Sequence, residues 1–279
     1  MHCVDAAGVL SRLARLGCTV RRSYSVRGPL ALVHIDTNHK LIRYNLVIFG
    51  GVDGFSRKIL YLDAVTNNRA NTAFSFFLEA TRLHGVPSRV RGDQGVENVD
   101  IAPFMFERRG TGRASFISGK SVHNQRIERM WRDVWMAVTC IFYDVLHTLE
   151  EDGVLDIANM MHLFCVHYVF LPRLRSALQV FVAGWNHHPL RTERNHTPEQ
   201  LWQMGHLNTP QDSLWKLDGE GSLMTPETSV GVQVPEFQPP LPAEDLAVLQ
   251  SAINPLIDSD SNGYDLYIQV LDLLHTRID

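Results

Sequence analysis

Three carboxylates stand in settings that suit chemistry at phosphorus. Asp36 lies in LVHIDTN, Asp93 in VRGDQGVEN and Glu128 in HNQRIERMW. The first two each close a short run that reads as a strand; the third lies in a run that reads as a helix. Carboxylates from separate elements can converge on two divalent ions, Mg2+ or Mn2+. Such a pair activates an attacking oxygen and stabilises the leaving one in an in-line displacement. Mg2+ takes oxygen ligands and is commonly shared with substrate phosphates. The attacker would be water, which nicks a strand, or a DNA 3′-hydroxyl, which joins two. Taken singly, an Asp at a strand end is ordinarily a turn or cap residue and a helical Glu is ordinarily solvated. The ordered set of three carries the expectation.

Elements that would position these groups are readable from apolar periodicity. Leu30–Asp36, Tyr44–Val52 and Lys58–Val65 read as strands, with Gly50-Gly51 and Asp53-Gly54 as turn or bulge signals. A helix follows over Asn71–His84, with Phe74, Phe77, Leu78 and Thr81 on one stripe and Asn68 or Asn71 as its cap. Ser88–Arg91 is a short strand leading into Asp93. Residues 97–109 hold a loop and small helix, and Ala114–Ile117 reads as a fifth strand. Asn124–His147 is a long helix with Ile127, Met130, Trp131, Val134, Val138 and Ile141 at three- and four-residue steps. Two more helices, Val154–Phe170 and Arg173–Trp185, are expected to be separated or kinked at Pro172. This is an α/β order with a mixed sheet, opened by antiparallel hairpins and completed by crossovers.

Of 279 residues, 45% are hydrophobic and 20% charged, ordinary values for a globular protein. Four cysteines (Cys3, Cys18, Cys140, Cys165) form no CxxC pair, which favours a reducing compartment over a disulfide framework. No apolar run reaches membrane-spanning length, and the N-terminus lacks the pattern of a signal peptide. The net charge of −4 is unevenly spread. Residues 205–279 hold two basic residues (Lys216, Arg277) against twelve acidic ones, a net of −10. Residues 1–204 hold the other 24 basic and 18 acidic residues, a net of +6. A basic body with an acidic tail fits a nucleic-acid binder. Seven basic residues (Arg108, Arg109, Arg113, Lys120, Arg126, Arg129, Arg132) face two acidic ones between Met105 and Arg132. That patch would grip phosphates without regard to sequence; the alternative is a solvated face with helical ion pairs. His39 and Lys40, just past Asp36, are further phosphate candidates. The adjacent His187-His188 and the five-residue step from His162 to His167 make poor joint metal ligands.

These residues together resemble the catalytic core of retroviral and retrotransposon integrases, an RNase H-like fold with an Asp-Asp-Glu triad. The resemblance runs from about Leu30 to Leu201. Asp53-Gly54-Phe55-Ser56-Arg57 is similar to the family's turn between its second and third strands. Asp93-Gln94-Gly95-Val96-Glu97-Asn98 is similar to the motif around its second aspartate, and Asn124 to Glu128 to its asparagine-to-glutamate helix. Trp185-Asn186, Pro189 and Thr197-Pro198-Glu199 are similar to the trailing segment. The resemblance implies Asp36, Asp93 and Glu128 as catalytic metal ligands for two Mg2+ or Mn2+ ions, with DNA as partner and a homo-oligomer as a possible assembly. By their charge and position beside that site, Lys120, Arg126, Arg129, His39 and Lys40 are the expected nucleic-acid contacts, and Gly119-Lys120 lies in the stretch that forms a mobile loop in the family. There are 56 residues between Asp36 and Asp93 and 34 between Asp93 and Glu128, the latter one short of the family's usual interval. The first 30 residues hold one histidine (His2) and two cysteines, so they do not match the family's His-His-Cys-Cys zinc module, and no basic SH3-like segment is seen near the end.

The expected architecture is therefore a mixed five-stranded RNase H-like sheet flanked by helices, with extra C-terminal helices and an acidic tail. Residues 1–27 would be a lead with helical spacing from Val4 to Leu16. Residues 28–205 would be the core with its helical extension, and residues 206–279 an acidic tail, linker-like over 225–242 and with two short helices over Asp245–Leu256 and Tyr264–Ile278. The expected function is integrase- or transposase-like polynucleotidyl transfer or nuclease action on DNA, in a transposable-element context and an intracellular compartment, nuclear or cytoplasmic. The alternative is a domesticated, catalytically silent module that keeps the integrase fold and binds nucleic acid or protein. A nuclease for RNA–DNA hybrids is the weakest reading, because nothing points to 2′-hydroxyl recognition.

Overall fold

The computed structural model describes residues 24–93, 95, 99–119, 124–208 and 241–278. The expected N-terminal helix, Lys120, Glu97 and almost all of the expected linker lie outside these residues. Among the described residues no helix is long and apolar enough to cross a membrane.

Five strands form one sheet: β1 (Val33–Asn38), β2 (Val47–Asp53), β3 (Ile59–Val65), β4 (Val90–Gly92) and β5 (Phe116–Ser118). Their order is β3-β2-β1-β4-β5. β1 pairs antiparallel with β2, and β2 with β3, as short hairpin connections permit. β4 pairs parallel with β1, and β5 with β4, through helical crossovers. The strands begin two to three residues later than hydrophobicity alone suggests at β1, β2, β4 and β5. The preceding apolar residues, such as Leu30 and Leu46, pack on the core from turns.

All seven residues of β2 are buried, because helices cover both faces of the central strands. One face carries α1 (Ala70–His84) and α2 (Ile101–Arg109), packed on Val33, Ile35, Phe77, Val90, Phe104 and Met105. The start of α1 is held by Asn67, whose Oδ1 takes Arg69 N and Thr72 Oγ1, rather than by Asn68 or Asn71. The other face carries a long composite helix: α3 (Gln125–Val134), a π turn (Trp135–Thr139) and α4 (Cys140–Glu151). Ile127, Met130, Trp131 and Val134 place α3 on Ile48, Val52 and Leu62.

α5 (Met160–His187) decides against a separation at Pro172, which lies inside one 28-residue helix. A mid-helix proline removes one backbone bond at about 3 kcal/mol. Here Val166, Val169, Phe170, Leu174 and Leu178 are buried on both sides of it, and that burial outweighs the local loss. Residues 154–159 precede the helix, which starts where Asn159 Oδ1 accepts Met161 N at 2.8 Å. α6 (Pro198–Asn208) follows.

The expected tail is corrected over its last part. α7 (Ala243–Ala252) and α8 (Tyr264–Ile278) are not an appendage: Leu249, Tyr267, Val270 and Leu274 are buried in the same core as Phe170 and Leu174. Tyr168 Oη donates to Ile253 O at 2.7 Å, and Arg173 Nη1 donates to Pro255 O at 2.9 Å and Ile257 O at 2.8 Å. The acidic side chains of this stretch ride on the outward faces of amphipathic helices, which composition alone does not separate from a solvated tail.

Candidate active site

Asp36 sits in the middle of β1, on the face turned toward α3; Ile35, one residue earlier, packs on the opposite face. Its register partner on β2 is Gly50. A Cβ at Gly50 would come 2.8 Å from Trp131 Cη2, so only glycine lets the indole lie against the strand. Trp131, three residues past Glu128 on α3, then donates its Nε1–H to Asp36 Oδ2 at 2.8 Å.

The parallel register pairs Val33 with Val90 and His34 with Arg91. Carried two residues on, it sets Asp93, just past the end of β4, alongside Asp36. Asp93 Oδ1 accepts Gly95 N at 3.0 Å. Glu128 is exposed in the first turn of α3. The three carboxylates share one field: burial pushes Asp36 up to about 7, Trp131 N–H opposes that, and Asp93 and then Glu128 raise it further. A half-buried acid near two like charges is the electrostatic setting that a divalent cation relieves. Oxygen-only donors suit Mg2+ or Mn2+. The donor chemistry thus fits such ions, but the spacing is open: among the described residues no three His, Cys, Asp or Glu side chains are gathered closely enough to hold a metal as they stand.

Behind the carboxylates lies a buried polar chain that sequence reasoning missed. Asn124 Nδ2 donates to Ile35 O at 2.9 Å, which turns its Oδ1 toward His34 Nδ1 at 2.5 Å. The imidazole therefore carries its proton on Nδ1, and Nε2 accepts from Tyr24 Oη at 2.7 Å. Burial first, then Arg91 and Arg126, lower His34 to about 4 against the pull of Asn124, so the ring is neutral at pH 7. Arg126 lies over the Tyr24 ring, 4.3 Å from its centroid. Asn124 thus does not cap α3 with its side chain; it ties the start of α3 to β1 and so sets where Glu128 stands relative to Asp36. A signal was present: His34 is two residues from Asp36, hence on the same face of the strand.

The expected phosphate contacts sort unevenly. Arg126 is half-buried on Tyr24, and Arg129 is exposed but pairs with Asp133 at 3.2 Å. His39 and Lys40 are exposed beyond Asp36, and Lys40 Nζ lies 5.9 Å from the Trp135 ring centroid. Two of the described basic residues between Met105 and Arg132 are engaged away from the carboxylates. Arg109 is buried and donates to Pro87 O at 3.0 Å and to Val86 O; Arg113 donates to Ser88 Oγ at 2.6 Å. Both hold the loop before β4.

Asp53 serves the β2–β3 turn, as read from sequence. Buried, it accepts Leu30 N at 2.8 Å and Ser56 N and Oγ at 2.7 Å each. Trp185 Nε1 donates to Arg57 O at 2.8 Å, and Asn186 brackets Ile59 through its N and O at 2.9 and 3.2 Å. The Trp185-Asn186 pair therefore closes the β3 edge. The histidines set aside as ligands have structural bonds, one local and one across the fold: His162 Nδ1 accepts Asp156 N at 3.0 Å, and His167 Nε2 donates to Tyr44 O at 2.9 Å.

Among solved structures, the chain is similar to the HTLV-2 integrase catalytic core domain in complex with magnesium. The trimeric form has 15% identity and a TM-score of 0.40, covering 63% of this chain and 99% of that one. The dimeric form has 14% identity and a TM-score of 0.39, covering 64% and 99%. It is also similar to the simian T-cell lymphotropic virus intasome in complex with PP2A regulatory subunit B56 gamma, at 16% identity and a TM-score of 0.41, covering 80% and 77%. No curated protein matches. The family model described as the integrase core domain matches residues 23–215, from just before Tyr24 to beyond α6. With its mixed sheet in the order β3-β2-β1-β4-β5 and a helix laid across Asp36, this chain belongs to the integrase core domain family.

Proposed function

We propose that the chain is an integrase-like polynucleotidyl transferase, acting on the DNA backbone with divalent ions held by Asp36, Asp93 and Glu128. The observation that carries this reading is the placement of Asp36 on the central strand under α3, bonded by Trp131, with the parallel register of β4 leading to Asp93 beside it. When bound, the ions would supply charge to activate the attacking oxygen and stabilise the leaving one. The chain's own residues do the rest. Asn124 and Trp131 orient α3 against β1; Lys40, His39, Arg126, Arg129 and Lys120 are the candidate phosphate contacts.

The test is Mn2+-dependent nicking of a duplex oligonucleotide by the full chain, paired with calorimetric titration of Mn2+. Asp93→Asn removes charge with little change of volume. It should abolish nicking and weaken Mn2+ binding while the melting temperature holds. Equal nicking by mutant and wild type rejects the assignment.

A second reading has its own support. Trp131 already occupies Asp36 Oδ2, and the described acids are not drawn together into a metal-holding group. A silent core that keeps the fold and binds nucleic acid without reacting would show no Mn2+ heat and no nicking, yet still retain duplex in a binding assay.

A further inference from the structure

The composite helix that carries Glu128 turns Met136, Tyr143 and His147 outward, with Trp135 half-buried beside them. Trp135 follows Glu128 by seven residues, close to two turns, and so lies on the same side of the helix. Met136 is 72% exposed and Tyr143 38%. The Trp135 and Tyr143 centroids are 5.6 Å apart at an interplanar angle of 60°, and Tyr143 and His147 are 5.9 Å apart at 32°. In a regular α-helix Tyr143 would stand about 80° round the axis from Trp135. The wider π turn over Trp135–Thr139 takes up that excess and brings the rings into one row. Such π turns occur frequently at functional sites.

Positive charge gathers at the end of this row nearest the carboxylates. Lys40, four residues past Asp36, places Nζ 5.9 Å from the Trp135 centroid, and Arg132 is exposed one turn before Trp135. At the far end the charge reverses: Asp144 and Glu151 are exposed, and Glu151 pairs with His147 at 3.3 Å. The usable part is therefore Trp135 and Tyr143 with their two cations. Ring faces flanked by cations are how proteins hold unpaired strands, because every base has a face to stack and every linkage a phosphate. A duplex keeps its base faces inside and gains nothing from the rings.

We propose that Trp135 and Tyr143, with Lys40 and Arg132, form a base-stacking site for unpaired DNA leading away from the carboxylates. The proposal rests on the nucleic-acid reading above but needs neither metal nor catalysis. Its test is fluorescence anisotropy of a labelled oligo-dT of about 12 nucleotides, with the full chain in EDTA. Trp135→Ala and Tyr143→Ala should each weaken strand binding roughly tenfold, while Trp135→Phe keeps most of it and affinity for a blunt duplex stays unchanged. Exposed Lys40→Gln, which leaves the core untouched, should weaken strand binding several-fold and guards against misfolding of the aromatic variants. Wild-type strand affinity in Trp135→Ala or Lys40→Gln, or equal loss of strand and duplex in Trp135→Ala, overturns the site. Asp93→Asn should bind the strand like wild type. Loss of nicking with strand binding intact thus counts against catalysis alone, and intact nicking with unaltered strand binding in Trp135→Ala counts against this site alone.

Discussion

Asp53 and Asp36 lie on neighbouring antiparallel strands, and burial pushes both carboxyls upward, but their neighbours differ. Asp53 is wholly buried and receives three donors from Leu30 and Ser56, so the turn that it organises opposes the rise that burial causes. Asp36 receives the Trp131 indole and the Thr37 N–H, while burial first and then two further carboxylates push it up to about 7. A carboxylate met only by local donors holds structure. One that also faces like charges gains from a cation. The sequence neighbourhoods, VDGFSR and VHIDTN, do not look different in kind; the difference is in what the fold brings to each.

The comparison breaks most visibly by removing each acid in turn. Asp53→Ala strands three donors and should cost about 3–5 kcal/mol in urea denaturation. Asp36→Asn, without divalent ions, should be neutral or raise the melting temperature, since it relieves repulsion and desolvation. If both destabilise alike, Asp36 is structural too.

The pH profile sharpens the contrast next. His34 has its folded pKa lowered from 6.5 to about 4, so the unfolded chain binds the proton first and stability falls as pH drops from 6.5 toward 4. The loss is on the order of 3 kcal/mol at its limit. Asp36 works in the opposite sense. Its folded pKa is raised from 3.8 to about 7, so its unfavourable contribution grows as pH rises through that window and is full above it. Asp36→Asn should flatten the upper limb in metal-free urea titrations, and His34→Gln the lower one.

A smaller effect is expected at Gly50. An added Cβ meets Trp131 Cη2 at 2.8 Å, so Gly50→Ala should cost about 1–3 kcal/mol and alter Trp131 fluorescence as the indole leaves Asp36. The smallest belongs to Arg129→Ala, which breaks only an exposed pair with Asp133 and should change stability by less than about 0.5 kcal/mol. Any effect of that variant on duplex binding would then report DNA contact rather than folding.

Much of the frame was readable in advance. Five strands and the helices between them follow from alternating and three-to-four-residue apolar spacing, and Asp53 follows from turn chemistry. What escaped reading has one physical character. Pro172 was expected to separate or kink two helices because local propensity says so, and buried residues on either side keep one helix running through it. The two short helices at the end of the chain were readable, but not their packing into the core, because charge counts do not show which side of a helix is acidic. Arg109 and Arg113 looked like phosphate contacts because a basic side chain that meets a loop carbonyl or hydroxyl reads the same as one that meets water.

By itself the sequence determined which residues share a strand face, so that Asp36 and His34 point one way and Ile35 the other; it did not fix where the strand ends, since Asp36, read as closing β1, lies inside it. The shared face is a consequence of a two-residue pleat, which is local. Only the tertiary structure decided that Trp131 would reach Asp36, that Asn124 would tie β1 to α3 through His34, and that Tyr143 would line up with Trp135. Each of these depends on how one element is rotated against another. That rotation is set by packing among residues far apart in the chain, which no local spacing records.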